Sequence, residues 1–423
     1  MRKVLLMWVF LGGFQNGFAA LNIDITQVME STMPIAIVPF GIEINVLPPQ
    51  EDVAAIISSD LAKSGRFNVL STTQYPEKPS NPTMLNTMLW REIGSRYVVL
   101  GNVQPAGNQY AVSFHLINVL DGQMLLSQSL PSARTQLRKT AHKISDLIYH
   151  ALTGEMGAFD SQIAYITTHK TPRGKQYRLQ VADSDGFNPK IIMQSDEPIL
   201  SPAWSPDGRR LAYVSLENKK MAIYVQDIAS RSRDQVSAHQ GLNSSPAWSP
   251  DGSKLALTLS KDGNAEIYVL DLTTKNLKRL THDPAIDTEP AWSPDGKTLI
   301  FTSDRGGKPQ IYQMSSSGGS AQRLTFQGNY NARASFSPID QRVVLINGNG
   351  GTYRIAVLEN GQMRYLSETS MDKSPSFSPN GSMVIYATQR ALAAVSVDGR
   401  VRQRISVEAG AEVRESVWSP RSP

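Results

Sequence analysis

From residue 158 onward the apolar positions fall into short strands that recur with one period. Each unit opens on a strand ending in Trp-Ser and continues through Pro-Asp-Gly. An apolar strand follows (Leu211-Ala212-Tyr213-Val214, Leu255-Ala256-Leu257-Thr258, Leu299-Ile300-Phe301-Thr302), then a third (Ile223-Tyr224-Val225, Ile267-Tyr268-Val269-Leu270, Ile311-Tyr312-Gln313). A short fourth strand such as Lys278-Arg279-Leu280-Thr281 ends the unit. The motif Trp-Ser-Pro-Asp-Gly begins at Trp204, Trp248 and Trp292, 44 residues apart, and worn copies begin at Phe336, Phe377 and Trp418. Four short strands in a period of this length predict the blades of a β-propeller. Ser, Pro, Asp and Gly in that order suit the four corners of a type I turn.

The ends of the array set the blade count. Ile163-Ala164-Tyr165-Ile166, Tyr177 to Val181 and Lys190 to Met193 match second, third and fourth strands, with no Trp-Ser strand before them. The surplus first strand, Ser416-Val417-Trp418-Ser419, stands at the other end of the array. Pairing the two predicts six blades closed by the C-terminal strand, which removes an open edge.

Residues 20–157 follow another pattern. Pro34 to Phe40 and Phe67 to Leu70 read as strands, and Glu51 to Lys63 as a helix with Val53, Ile56, Ile57 and Leu61 on one face and Gly65 at its stop. Pro82 to Ile93 reads as a second helix with Pro82 in its first turn. Tyr97 to Gly101, Tyr110 to Asn118 and Gln123 to Leu130 form a meander, and Thr135 to Leu152 a closing helix that ends at Gly154. The expectation is a two-domain chain: a small N-terminal α/β domain over 20–157 and a six-bladed propeller over 158–423.

The first residues read as an export signal over 1–19. Arg2 and Lys3 precede the apolar run Val4 to Leu11, too short to span a bilayer, and Gly17-Phe18-Ala19 offers a cleavage site after Ala19 or the neighbouring Ala20. The formal charge of +5 falls to +3 without Arg2 and Lys3, too weak over such a length for a nucleic-acid footprint. The chain has no cysteine, which excludes disulfides, thiolate metal sites and cysteine nucleophiles.

Chemistry is sparse. Asp207, Asp251 and Asp295 read as turn formers, and Trp204, Trp248 and Trp292 as packing between blades. The six histidines (His115, His142, His150, His169, His239, His282) show no ligand spacing, and no nucleophile elbow is present. No metal, cofactor or catalytic set is expected. What remains is the rim formed by loops preceding the first strands: Leu242-Asn243-Ser244-Ser245, Asp287-Thr288-Glu289, Asn331-Ala332-Arg333, Met371-Asp372-Lys373 and Glu412 to Glu415. The hairpins near Asn218-Lys219, Asp262-Gly263-Asn264 and Arg305-Gly306-Gly307 join them. Their mixed charge with Leu242 and Met371 suits a polar protein interface. A second candidate is the alternating strand Leu21 to Thr26, which can pair with its own domain or add to a partner's sheet edge. The rival class is a carbohydrate-binding or hydrolytic propeller acting on a cell-envelope ligand.

The export signal, Asn22-Ile23-Asp24-Ile25-Thr26-Gln27, Ile37-Val38-Pro39-Phe40 and the six repeats ending in Val417-Trp418-Ser419-Pro420 together resemble the TolB family of the Tol–Pal system of Gram-negative bacteria. The resemblance covers essentially the whole chain, and the N-terminal domain joined to the array is its specific part. It implies a monomeric, non-enzymatic periplasmic adaptor that supports outer-membrane integrity and constriction at cell division. It implies binding of the lipoprotein Pal at the propeller rim, on Leu242, Asn243, Ser244, Ser245, Asp287, Thr288, Glu289, Arg333 and Asp372. Thr288 and Ser245 match best, while family members often carry a polar or imidazole group at Leu242. It implies binding of TolA through Leu21, Asn22, Ile23, Asp24, Ile25, Thr26 and Gln27.

Overall fold

The computed structural model describes residues 32–42, 49–388, 391–405 and 407–421. The export signal and the strand expected at Leu21 to Thr26 lie outside these residues.

The N-terminal domain is one mixed sheet covered on both faces. Met33–Ile37 pairs in parallel with Phe67–Val69 and with Tyr97–Ala106, and the sheet continues antiparallel through Gln109–Asn118 and Met124–Ala133. Helices α1 (Val53–Lys63) and α3 (Leu137–Thr153) bury Ile56, Ile57, Leu61, Ile144 and Ile148 against one face. Asp52 caps α1 by accepting from the Ala55 amide at 3.0 Å, and Gly154, in the left-handed region at φ 75°, ends α3. The other face is sealed by the fully buried Trp90.

The helix expected over Pro82 to Ile93 is two pieces. A 3-10 turn, Pro82–Met84, is capped by Asn81, and α2 (Thr87–Glu92) by Asn86. Leu85 between them is extended. Glu77 holds the break open, accepting from the Asn86 amide at 2.8 Å and the Trp90 indole at 2.9 Å. Two asparagines supply start signals where the apolar spacing alone suggests one run.

The described residues after Phe159 form six four-stranded antiparallel blades. In the first, the C-terminal strand Glu412–Trp418 lies innermost against Gln162–Thr171, with Ser416 opposite Tyr165 and Trp418 opposite Ile163. The joint is locked by Ser419 N to Gln162 O at 2.8 Å and Gln162 N to Ser419 Oγ at 2.9 Å.

The repeated motif makes the turn its composition predicts. Gly208, Gly252, Gly296 and Gly381 donate to Ser205, Ser249, Ser293 and Ser378 at 2.8–2.9 Å, each glycine at φ near 70°. Asp207, Asp251 and Asp295 each accept from the motif serine hydroxyl and from the amide two residues on. Those bonds hold all three carboxyls below the usual carboxylate range; for Asp207 they outweigh the opposing cost of burial.

The tryptophans are staples between blades. Trp248 Nε1 donates to Ala203 O at 3.2 Å, Trp292 to Ala247 O at 3.1 Å and Trp204 to Val417 O at 3.4 Å, each in the preceding blade's inner strand. Trp204 and Trp248 are buried. A tryptophan fills the gap between sheets and satisfies its one donor there.

Candidate functional site

The six innermost strands run in the same sense around a central channel: Ile199–Trp204, Asn243–Trp248, Asp287–Trp292, Tyr330–Phe336, Lys373–Phe377 and Glu412–Trp418. Their starting ends meet at one mouth. Three positions at these starts do different things: the first two recur in the third to sixth blades, and the third recurs around the ring.

The first position is apolar. Leu242, Ile286 and Tyr330 follow one another at 44 residues, and Met371 comes next. Ile286 is 53% and Met371 39% exposed, Leu242 and Tyr330 are half-buried, and Phe326 stands 73% exposed on the loop into the fifth blade. Together they form a partly exposed apolar collar, unusual on a polar rim.

The second position is polar and buried. Asn243, Asp287, Asn331 and Asp372 are at most 1% exposed. Asn243 accepts from Ser237 Oγ (2.8 Å) and His239 N (2.9 Å) and donates to His239 O (2.7 Å). Asp287 pairs with Arg305 at 2.6 Å, Asn331 donates to Gln310 Oε1 and Gln327 O at 2.8 Å, and Asp372 accepts from Thr369. Burial raises the Asp287 carboxyl above its ordinary pKa, opposed by Ser303 and Arg305. Asn243, Asp287 and Asp372, expected on the rim as contact groups, instead shape the loops from beneath. Ser244 and Thr288 beside them are half-buried.

The third position faces the channel. Ser201, Ser245, Glu289, Arg333 and Ser374 all adopt φ between 50° and 57°, and the inner strand slips register at each of these positions. A bulge with a left-handed residue re-aims a side chain, at a cost of order 1 kcal/mol per non-glycine residue. Here it brings charges together. Arg333 Nε lies 3.0 Å from Glu289 Oε1, and Arg333 Nη1 lies 3.2 Å from Glu415 Oε2 and 2.8 Å from Ser374 Oγ. Glu289 Oε2 also accepts from Thr302 Oγ1 and the Arg333 amide, and Glu415 Oε2 from the Ser201 amide at 2.8 Å. The charge of Glu415 is the largest of the influences that raise the Arg333 pKa above its usual value. Glu289 and Arg333 are therefore parts of an ion-pair network inside the channel, while the collar, with the half-buried Ser244 and Thr288 beside it, lies at the mouth. Reading the loops by composition picks out Leu242 and Met371 but misses Ile286 and Tyr330; stepping the 44-residue interval from Leu242 reaches both.

A sequence profile described as the TolB amino-terminal domain matches residues 21–125, and one described as the TolB beta propeller domain matches residues 149–422. The Tol-Pal system protein TolB of Thioalkalivibrio sulfidiphilus is 59% identical over 410 residues, covering 95% of this chain and 94% of the relative. This chain belongs to the TolB family. The corresponding protein of Methylococcus capsulatus is 58% identical over 95% of both chains. The crystal structure of TolB from Acinetobacter baumannii superposes with a TM-score of 0.85 at 40% identity, over 95% of this chain and 100% of that one. The chain is thus a non-catalytic component of the Tol–Pal system of the cell envelope, built as an α/β domain followed by a six-bladed propeller. Among the described residues no helix is long and apolar enough to cross a membrane.

Proposed function

We propose that the protein is a periplasmic adaptor that binds the lipoprotein Pal at the channel mouth and TolA through Leu21 to Gln27. In this role it supports outer-membrane integrity and constriction during division. The observation that supports the first contact is the collar of Leu242, Ile286, Tyr330 and Met371 with Phe326. It sets apolar side chains around the mouth among polar loops, with the buried Asn243, Asp287, Asn331 and Asp372 beneath them. Protein interfaces gain most of their free energy from a few such apolar anchors inside a polar rim. Ser245, Glu289 and Arg333 contribute by fixing the channel floor beneath the collar. The second contact rests on the resemblance and on the apolar alternation of Leu21, Ile23 and Ile25, which suits strand addition to a partner's sheet.

Deleting 21–27 is expected to abolish TolA binding and leave Pal binding within about twofold. Loss of both contacts, read by titration calorimetry with each purified partner, would contradict the assignment of the segment. Saturable binding of peptidoglycan fragments without Pal would favour the carbohydrate reading.

A further inference from the structure

The joint between the domains contains a buried histidine with no role in the site above. His142 on α3 is 2% exposed, and its Nδ1 lies 2.8 Å from Asp60 Oδ2 on α1, which also accepts from Ser145 Oγ at 2.7 Å. Its other nitrogen, Nε2, is buried without a hydrogen-bond partner among the described residues. In the first blade, carboxylate oxygens of Asp183 and Asp185 lie within 4.8 Å of a ring nitrogen of His142 and of each other. Arg138 on α3 spans the same gap, pairing with Asp185 and, at 3.5 Å, with Asp183, while Lys63 on α1 lies 3.9 Å from Asp185. Glu51 faces Arg138 at 3.7 Å, and Asp146, Asp160, Lys139 and Lys143 complete the charged surroundings.

We infer that His142 carries a proton that ties the N-terminal domain to the first blade, so that the domain joint is tight while the ring is charged and loosens when it is neutral. The carboxylates of Glu51, Asp60, Asp183 and Asp185 outnumber the cations Arg138 and Lys63, and an imidazolium reduces that excess of negative charge. Only the doubly protonated ring keeps its hydrogen bond to Asp60 while placing a positive charge beside the carboxylates of the blade. The spacing of His142, Asp183 and Asp185 also suits a divalent cation. Asp185 is already engaged by a guanidinium and an ammonium, which would be left as like charges beside the metal. Burial alone would lower the His142 pKa, but Asp60, by charge and hydrogen bond, and then Asp185 raise it above 6.5. A group raised in the folded state contributes fully below its ordinary value of 6.5, and the contribution is lost as pH rises through the folded value.

The chain has no cysteine, so Glu92→Cys with Lys308→Cys places one spin label on each domain with no background. In the full-length protein, the interlabel distance distribution is expected to be narrow at about pH 6 and broader at about pH 8.5, with a midpoint matching the His142 ring ¹⁵N titration. His142→Gln is expected to show the broad distribution at both pH values. A ring already neutral at about pH 6, or a distribution unchanged across the measured ring pKa, overturns the proposal. So does stoichiometric Zn²⁺ binding that His142→Gln removes, which would make this a metal site. The titrations of the labelled protein with His142 in place decide the matter even if the glutamine variant fails to fold.

Discussion

Arg333 and Glu289 show how position changes the meaning of a residue. On loop composition they belong to a solvated, mixed-charge rim. The left-handed bulge turns both into the channel, where Arg333 bridges Glu289 and Glu415. Arg333→Met is therefore expected to leave two facing carboxylates without their cation and to lower stability by about 1–3 kcal/mol, between the values for exposed and buried pairs. Chemical denaturation checks this, and a loss within about 0.3 kcal/mol would show the network to be solvent-screened. The mouth residues should behave in the opposite way: Ile286, half exposed, tolerates a polar replacement in the free protein.

At the scale of elements, the Trp-Ser-Pro-Asp-Gly unit joins two jobs in five residues. Its Ser, Asp and Gly close the turn within one blade, and its Trp reaches back to the carbonyl of the blade before. Trp248→Phe keeps most of the buried area but leaves Ala203 O unpaired, an expected loss of about 1–2 kcal/mol. Trp248→Ala adds a cavity and should cost about 3–5 kcal/mol by the same measurement. Equal losses in the two variants would mean that area burial plays no part. The C-terminal strand makes a sharper test. Removing residues 412–423 uncovers the edge of Gln162–Thr171 and breaks the ring at the first blade. The truncated protein is expected to lose cooperative unfolding and to aggregate. A monomer that melts sharply would contradict closure as a stabilising device.

Across the whole molecule, the propeller was legible because it is periodic: one unit read well is read six times, and the strand missing at one end identifies the strand borrowed from the other. The break at Leu85 was not, because it depends on Glu77 reaching Asn86 and Trp90, a tertiary contact without a local signature. The collar was half legible, since Leu242 and Met371 stand out by composition but Ile286 and Tyr330 only by counting. The burial of Asn243, Asp287 and Asp372 could not be read, because Asn and Asp are ordinary loop residues until their bonding partners are known. The domain joint was invisible for the same reason. There Asp146 on α3 accepts from the amides of Phe159 (2.8 Å) and Asp160 (3.1 Å) in the linker, and burial, only partly offset by those bonds, raises its pKa from 3.8 to about 6. A raised carboxyl contributes stability that is full below 3.8 and lost as pH rises through about 6, up to about 3 kcal/mol. Wild-type stability relative to Asp146→Ala should therefore fall between about pH 4 and 7, and a flat difference would place Asp146 in contact with solvent.

We propose that the channel mouth is a protein-binding surface whose apolar collar supplies the affinity. Titration calorimetry of soluble Pal into the wild-type protein and into a Leu242→Asp, Ile286→Asp double variant tests it most directly. Affinity is expected to fall at least about a hundredfold, with the melting temperature within about 2 °C of wild type. Unchanged affinity in a variant that melts like the wild type would contradict it.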